Sequence, residues 1–154
     1  MAGLARTTPD TFMLLGADTF HHGGAIRPTP YLPLPKTLRP SPFSEPPFRP
    51  GTEFPGHVLV DKVHPYHSRI EPFYQNYTEA ADRNVTLIVE SVGKMSEFDA
   101  RDDVFVVVAH DASILDVVEV FPKRANAWKE KGWKEESKWK FLADFKKALN
   151  NSTH

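Results

Sequence analysis

The chain has 154 residues, with 19 Lys and Arg against 20 Asp and Glu and 40% hydrophobic residues, which predicts one soluble domain spanning 1–154 with a single core. A net charge of -1 gives no overall pull toward nucleic acid or an anionic membrane, and the absence of cysteine excludes disulfide frameworks, thiolate metal sites and cysteine nucleophiles. Any metal must therefore be held by His, Asp, Glu and water. No apolar run approaches the roughly 18 residues needed to span a bilayer, and the N-terminus has no long apolar core, so the expected location is cytoplasmic.

In chain order, Phe12-Met13-Leu14-Leu15 predicts a buried strand that Gly16 interrupts before Asp18. Residues 28–55 hold ten of the fourteen prolines, which forbids helix interior and central strand and predicts a long extended loop. The interleaved Tyr31, Leu32, Leu34, Leu38, Phe43, Phe48 and Phe54 favour laying that loop over apolar surface, because disordered linkers are poor in aromatics. Ala81, Val85, Ile88, Val92 and Met95 form one stripe at helical spacing, with Thr78 as the expected N-cap and an end near Phe98. The β-branched run Val104-Phe105-Val106-Val107-Val108-Ala109 predicts a strand buried on both faces. The order of residues 112–121 is left undecided by their pattern. Trp139, Leu142, Phe145 and Leu149 mark a terminal helix from Glu135 to Leu149, and strands alternating with helices indicate an α/β fold.

Two apolar strands each finish on a metal-type ligand, Asp18 in one case and His110 in the other. Ligands bind where neighbouring strand ends converge in α/β sheets, so these two residues are expected to share a site. His21, His22, Gly23, Gly24 and Arg27 follow the first strand, and the paired glycines permit close backbone approach to a ligand. Each residue also has a plainer reading: Asp111 as the cap of the segment beginning at Ala112, and a strand-end His as a hydrogen-bonded boundary residue. His64 and His67 flank Pro65 and predict a surface turn rather than a ligand pair, and His57 predicts loop. The tail from Lys123 to Lys147 has nine basic residues against four acidic ones with three tryptophans. That pattern is read as a helix docked by its tryptophans, with nucleic-acid binding disfavoured for want of a recognition motif.

The segments Leu14-Leu15-Gly16-Ala17-Asp18-Thr19-Phe20-His21-His22-Gly23-Gly24-Ala25-Ile26-Arg27-Pro28 and Val106-Val107-Val108-Ala109-His110-Asp111 resemble the metallo-β-lactamase superfamily, closest to fungal-type metallo-hydrolase-like members. The resemblance covers most of the chain. It implies the C-terminal half of an αββα sandwich, with a mixed sheet, flanking helices and the Pro-rich loop. It also implies Asp18 as a residue bridging two metals and His110 as a ligand of the second, with His21, His22, Arg27 and Asp111 around the metal or substrate. The family's H-x-H-x-D-H motif occurs nowhere in the chain, and the family's Gly-Asp is Ala17-Asp18 here.

The implied activity is metal-dependent hydrolysis of an ester, lactone or thioester, with zinc as the implied metal, held weakly or not at all by this chain alone. Half a site predicts little or no hydrolysis in isolation. The alternative is a non-catalytic interaction module that uses an apolar sheet face or the Pro-rich loop. A sheet lacking half its strands would leave an unpaired edge, so the expected partners are a second copy or a complementary chain, and a small-molecule substrate once a full site is assembled.

Overall fold

The computed structural model describes residues 2–43, 52–75 and 84–151. It is a mixed α/β structure centred on a three-stranded sheet. The first strand, Gly3–Thr8 (β1), carries little hydrophobic signal and is largely exposed, so the apolar pattern alone passes over it. It exists because Pro9-Asp10 turns the chain and the Thr11 hydroxyl lies 2.8 and 2.7 Å from those of Thr7 and Thr8, closing a hairpin onto Thr11–Leu15 (β2). On its other side β2 pairs in parallel with Val104–Val107 (β5), Phe12 opposite Val104 and Leu15 opposite Val107. A parallel pair needs a long crossover. Here it includes two short paired strands, Thr37–Leu38 (β3) and Phe54–Pro55 (β4), and the helices Gly56–Lys62 (α1) and Val85–Asp99 (α2).

The period-2 alternation of β5 explains its unbroken apolar run. Val104, Val106 and Val108 join Leu14 and the Val92 and Met95 face of α2 in one cluster. Phe105 points the other way into Trp128 and Trp133, with a ring-centroid separation of 5.5 Å to Trp128. The sheet face opposite α2 is therefore covered in part by the tail. The described part of α2 is N-capped by Asn84, whose side chain accepts from the Leu87 amide; Thr78 and Ala81 lie outside the described residues.

Within the described part of the Pro-rich segment, Leu34, Leu38, Phe43 and Phe54 are buried with Leu59, Phe73, Trp139, Phe141, Leu142 and Leu149. Gly56 is required where β4 meets α1, because a Cβ there would stand 2.0 Å from the Pro35 carbonyl oxygen. His57, expected in a loop, lies in the first turn of α1.

The tail departs from the single helix expected over Glu135 to Leu149. It forms Trp133–Ser137 (α3), a 3-10 segment Lys140–Phe145, and Lys146–Asn151 (α4). At 100° per residue Trp139 and Phe141 would face opposite sides of one helix, yet both are buried, and the break at Trp139 lets both reach the core.

A buried polar network ties the sheet to this tail. The Arg27 guanidinium makes two 2.6 Å bonds to the Asp99 carboxylate at the end of α2 and donates to the Lys138 carbonyl. The Lys134 ammonium donates to the carbonyls of Asp99 at 2.6 Å and Val104 at 2.7 Å, and to that of Arg101. Burial opposes the charge on Arg27, but Asp99 more than offsets it and raises the guanidinium's pKa. Burial dominates at Lys134 and lowers its pKa to about 8. Among the described residues no helix is long and apolar enough to cross a membrane.

Candidate metal-binding site

The β2–β5 ladder continues past both strands, with the Gly16 amide donating to Val107 at 2.8 Å and the Ala109 amide to Ala17 at 2.9 Å. Both chains then turn sharply. Ala17 and His110 have φ of 48° and 67°, left-handed values that few residues other than glycine adopt. Gly16 lies in close contact with the core, since a Cβ there would come 2.8 Å from Val108. The Thr19 amide and hydroxyl both bond back to the Gly16 carbonyl, completing the turn that swings Asp18 outward. On the other strand the Asp111 carboxylate accepts from the Ser113 amide at 3.0 Å and the Ser113 hydroxyl at 2.5 Å, fixing the turn that follows His110.

These two turns bring His110 Nε2 to 3.4 Å from Asp18 Oδ1, with both side chains about two-thirds exposed. His21 joins them, its ring stacked on that of His110 at a centroid distance of 5.4 Å and an angle of 17°. One ligand atom from each of Asp18, His21 and His110 lies within 4.8 Å of the others. A carboxylate and two imidazoles are a donor set that suits zinc or a similar divalent ion with coordination positions left open to water. Three protein ligands fall short of a two-metal centre, which needs more.

The other residues expected around the site are engaged elsewhere. His22 Nδ1 accepts from the Gly24 amide at 3.0 Å, and its Nε2 lies 3.1 Å from the Asp144 carboxylate. Both ring nitrogens are thus occupied, the ring sits edge-on to Tyr74 and Phe141, and it caps the 3-10 turn Gly23–Ala25. Arg27 is buried and points at Asp99. His64, expected in a surface turn, is buried instead: its Nδ1 accepts from the Tyr66 amide and its Nε2 lies 2.7 Å from the Glu71 carbonyl. Burial lowers its pKa, so it stays neutral and organises the turn.

A cleft of about 560 Å³ opens beside the cluster, and its lining includes His21, His110, Asp111, Glu136, Trp139, Phe141 and Asp144. Trp139 and Asp144 were not among the residues expected there. They lie more than a hundred residues from His21 in sequence, and no local pattern signals that approach.

Fungal proteins resemble the chain over nearly its whole length. It is 40% identical over 149 residues to gamma-lactamase FDB1 of Fusarium pseudograminearum, covering 94% of this chain and 35% of that protein. It is 37% identical over 155 residues to metallo-hydrolase mfmC of Annulohypoxylon moriforme, covering 98% of this chain and 38% of that one. It is 32% identical over 151 residues to a Penicillium brevicompactum protein named cytochrome P450 monooxygenase mpaDE', covering 97% of this chain and 15% of that protein. The chain thus spans little more than a third of the length of the first two relatives. No family model matches it, and no solved structure matches it significantly.

Proposed function

Because the chain is a homologue of fungal metallo-hydrolases and gamma-lactamases of the metallo-β-lactamase type, we propose that it is the C-terminal part of an αββα sandwich and contributes one side of a metal-dependent hydrolytic centre. The reaction class is hydrolysis of an ester, lactone or thioester, or of the cyclic amide that the name gamma-lactamase indicates. The observation that carries this reading is the meeting of Asp18, His21 and His110 at the ends of adjacent parallel strands.

Asp18 and His110 would hold the ion with His21 as a third ligand, and Asp111 keeps the His110 turn in place. Zinc in such a site supplies water activation and carbonyl polarisation. The openness of the cluster supports the view that further ligands come from additional polypeptide, in a longer chain, a complementary chain or a second copy. Alone, the chain should hydrolyse little or nothing.

The test is titration of the purified chain with zinc and with cobalt as a spectroscopic substitute. One weakly bound ion per chain is expected, with affinity falling at least about tenfold in Asp18→Ala and in His110→Ala. Binding unchanged by both substitutions, or no binding above that of the double variant, would refute the metal site.

A further inference from the structure

Two consecutive histidines follow β2, and the structure gives them opposite tasks. His22 has an extended backbone, with φ of -151° and ψ of 135°, so its side chain and that of His21 leave the chain on opposite sides. The exposed His21 ring lies over His110 at the metal cluster. The His22 ring packs against the tail instead, edge-on to Phe141 at 5.3 Å and to Phe145 at 6.1 Å between centroids.

Both nitrogens of His22 fix it there. Nδ1 accepts from the Gly24 amide, so the proton of the neutral ring is assigned to Nε2, and the carboxylate of Asp144, 3.1 Å away, is its acceptor. Phe141, Asp144 and Phe145 all belong to the 3-10 segment Lys140–Phe145. The same segment lies against the next residue, since a Cβ on Gly23 would stand 2.6 Å from the Phe141 ring. The Tyr74 amide adds a further hold, donating to the Gly24 carbonyl at 3.0 Å. The loop that carries His21 is thus clamped by a carboxylate 122 residues beyond His22 in the chain. A loop with two adjacent glycines, left unclamped, would have to be ordered each time an ion bound, at a cost in conformational entropy.

We propose that Asp144 is a positioning residue for His21. By accepting the Nε2 proton of His22 it holds the Gly23–Ala25 turn, and through the extended backbone at His22 it sets the His21 ring where it meets Asp18 and His110. Asp144 is not one of the three residues that converge as ligands; it acts on them through His22. The tail therefore governs how well the cluster holds an ion. The inference rests on the metal-site reading for what His21 does, and on the structure alone for how His21 is placed.

The experiment compares the full chain with Asp144→Ala and Asp144→Asn in two readouts. Without metal, NMR follows the through-space contact between the His21 and His110 rings and the hydrogen exchange of the Gly24 amide. With zinc, titration measures the affinity of the cluster. Asp144→Ala should abolish the ring contact, quicken Gly24 exchange and weaken zinc binding at least about threefold. It should weaken binding no further once His21→Ala has removed the ligand. Asp144→Asn keeps a carbonyl acceptor for His22 and should restore both readouts, which a direct effect of the Asp144 charge on the ion would not allow. Unchanged ring contact or unchanged zinc affinity in Asp144→Ala overturns the proposal, as does equal weakening in Asp144→Asn, or a loss that persists in full beside His21→Ala. The Asp144 side chain is 70% exposed, so its removal should leave the fold intact, and an unaltered denaturation midpoint checks this. If the unaltered chain binds no zinc, the metal reading fails, and the metal-free ring contact alone decides whether Asp144 places His21.

Discussion

The Arg27–Asp99–Lys134 network and the Asp18–His21–His110 cluster use similar chemistry, a carboxylate among nitrogen groups, and treat it in opposite ways. In the network the carboxylate is 1% exposed, and carbonyl oxygens and the carboxylate take up the donors of the flanking cations. In the cluster the side chains of Asp18 and His110 are about two-thirds exposed and meet only loosely. Burial with every hydrogen bond made produces a structural joint, and exposure with coordination capacity left over produces a binding site. The network joins the first loop after β2, the end of α2, the start of β5 and the tail, so it holds in place the strand ends that carry the cluster.

The largest way to break this contrast is Asp99→Ala, which strands Arg27 in the interior. A loss of about 3–5 kcal/mol is expected from denaturant unfolding, whereas Asp18→Ala should change stability by less than about 0.5 kcal/mol. Equal losses for the two would show that the buried network and the exposed cluster contribute alike to stability.

A subtler separation comes from pH. The Lys134 pKa is about 8 in the folded chain against an ordinary 10.5, so between those values the unfolded chain holds more protons than the folded one. This group's contribution to stability should therefore rise as pH climbs from about 8 to 10.5 and be lost again as pH falls back through 8. The rise should vanish from the stability profile of Lys134→Met, measured against the unaltered chain.

The smallest effect concerns the backbone at the open site. Ala17 in a left-handed conformation costs about 1–2 kcal/mol, and glycine relieves this at the expense of a more flexible unfolded chain. Ala17→Gly should raise stability by about 0.5 kcal/mol without weakening zinc binding. Destabilisation would mean that the Ala17 methyl group makes contacts that outweigh the strain.

Much of this arrangement is legible in the sequence. The β5 run, the stripe of α2 and the placement of Asp18 and His110 at strand ends follow from local periodicity and turn residues. β1 escaped because an exposed edge strand needs no apolar alternation, only a partner and a turn. The tail is not one helix because the helical spacing of Trp139, Leu142, Phe145 and Leu149 leaves out Phe141, which is also buried.

His22 and Arg27 stand close to His21 in sequence, which places them with the site by pattern alone, yet Asp144 and Asp99 engage them from far along the chain. Sequence alone determined which groups were available: a carboxylate and imidazoles at strand ends, no thiols, and enough apolar residues to cover the sheet. Tertiary structure decided which of those groups stayed open. Coordination capacity depends on what else packs within about 3 Å of each polar atom, and for Arg27 and His22 those neighbours lie 72 and 122 residues away in the chain.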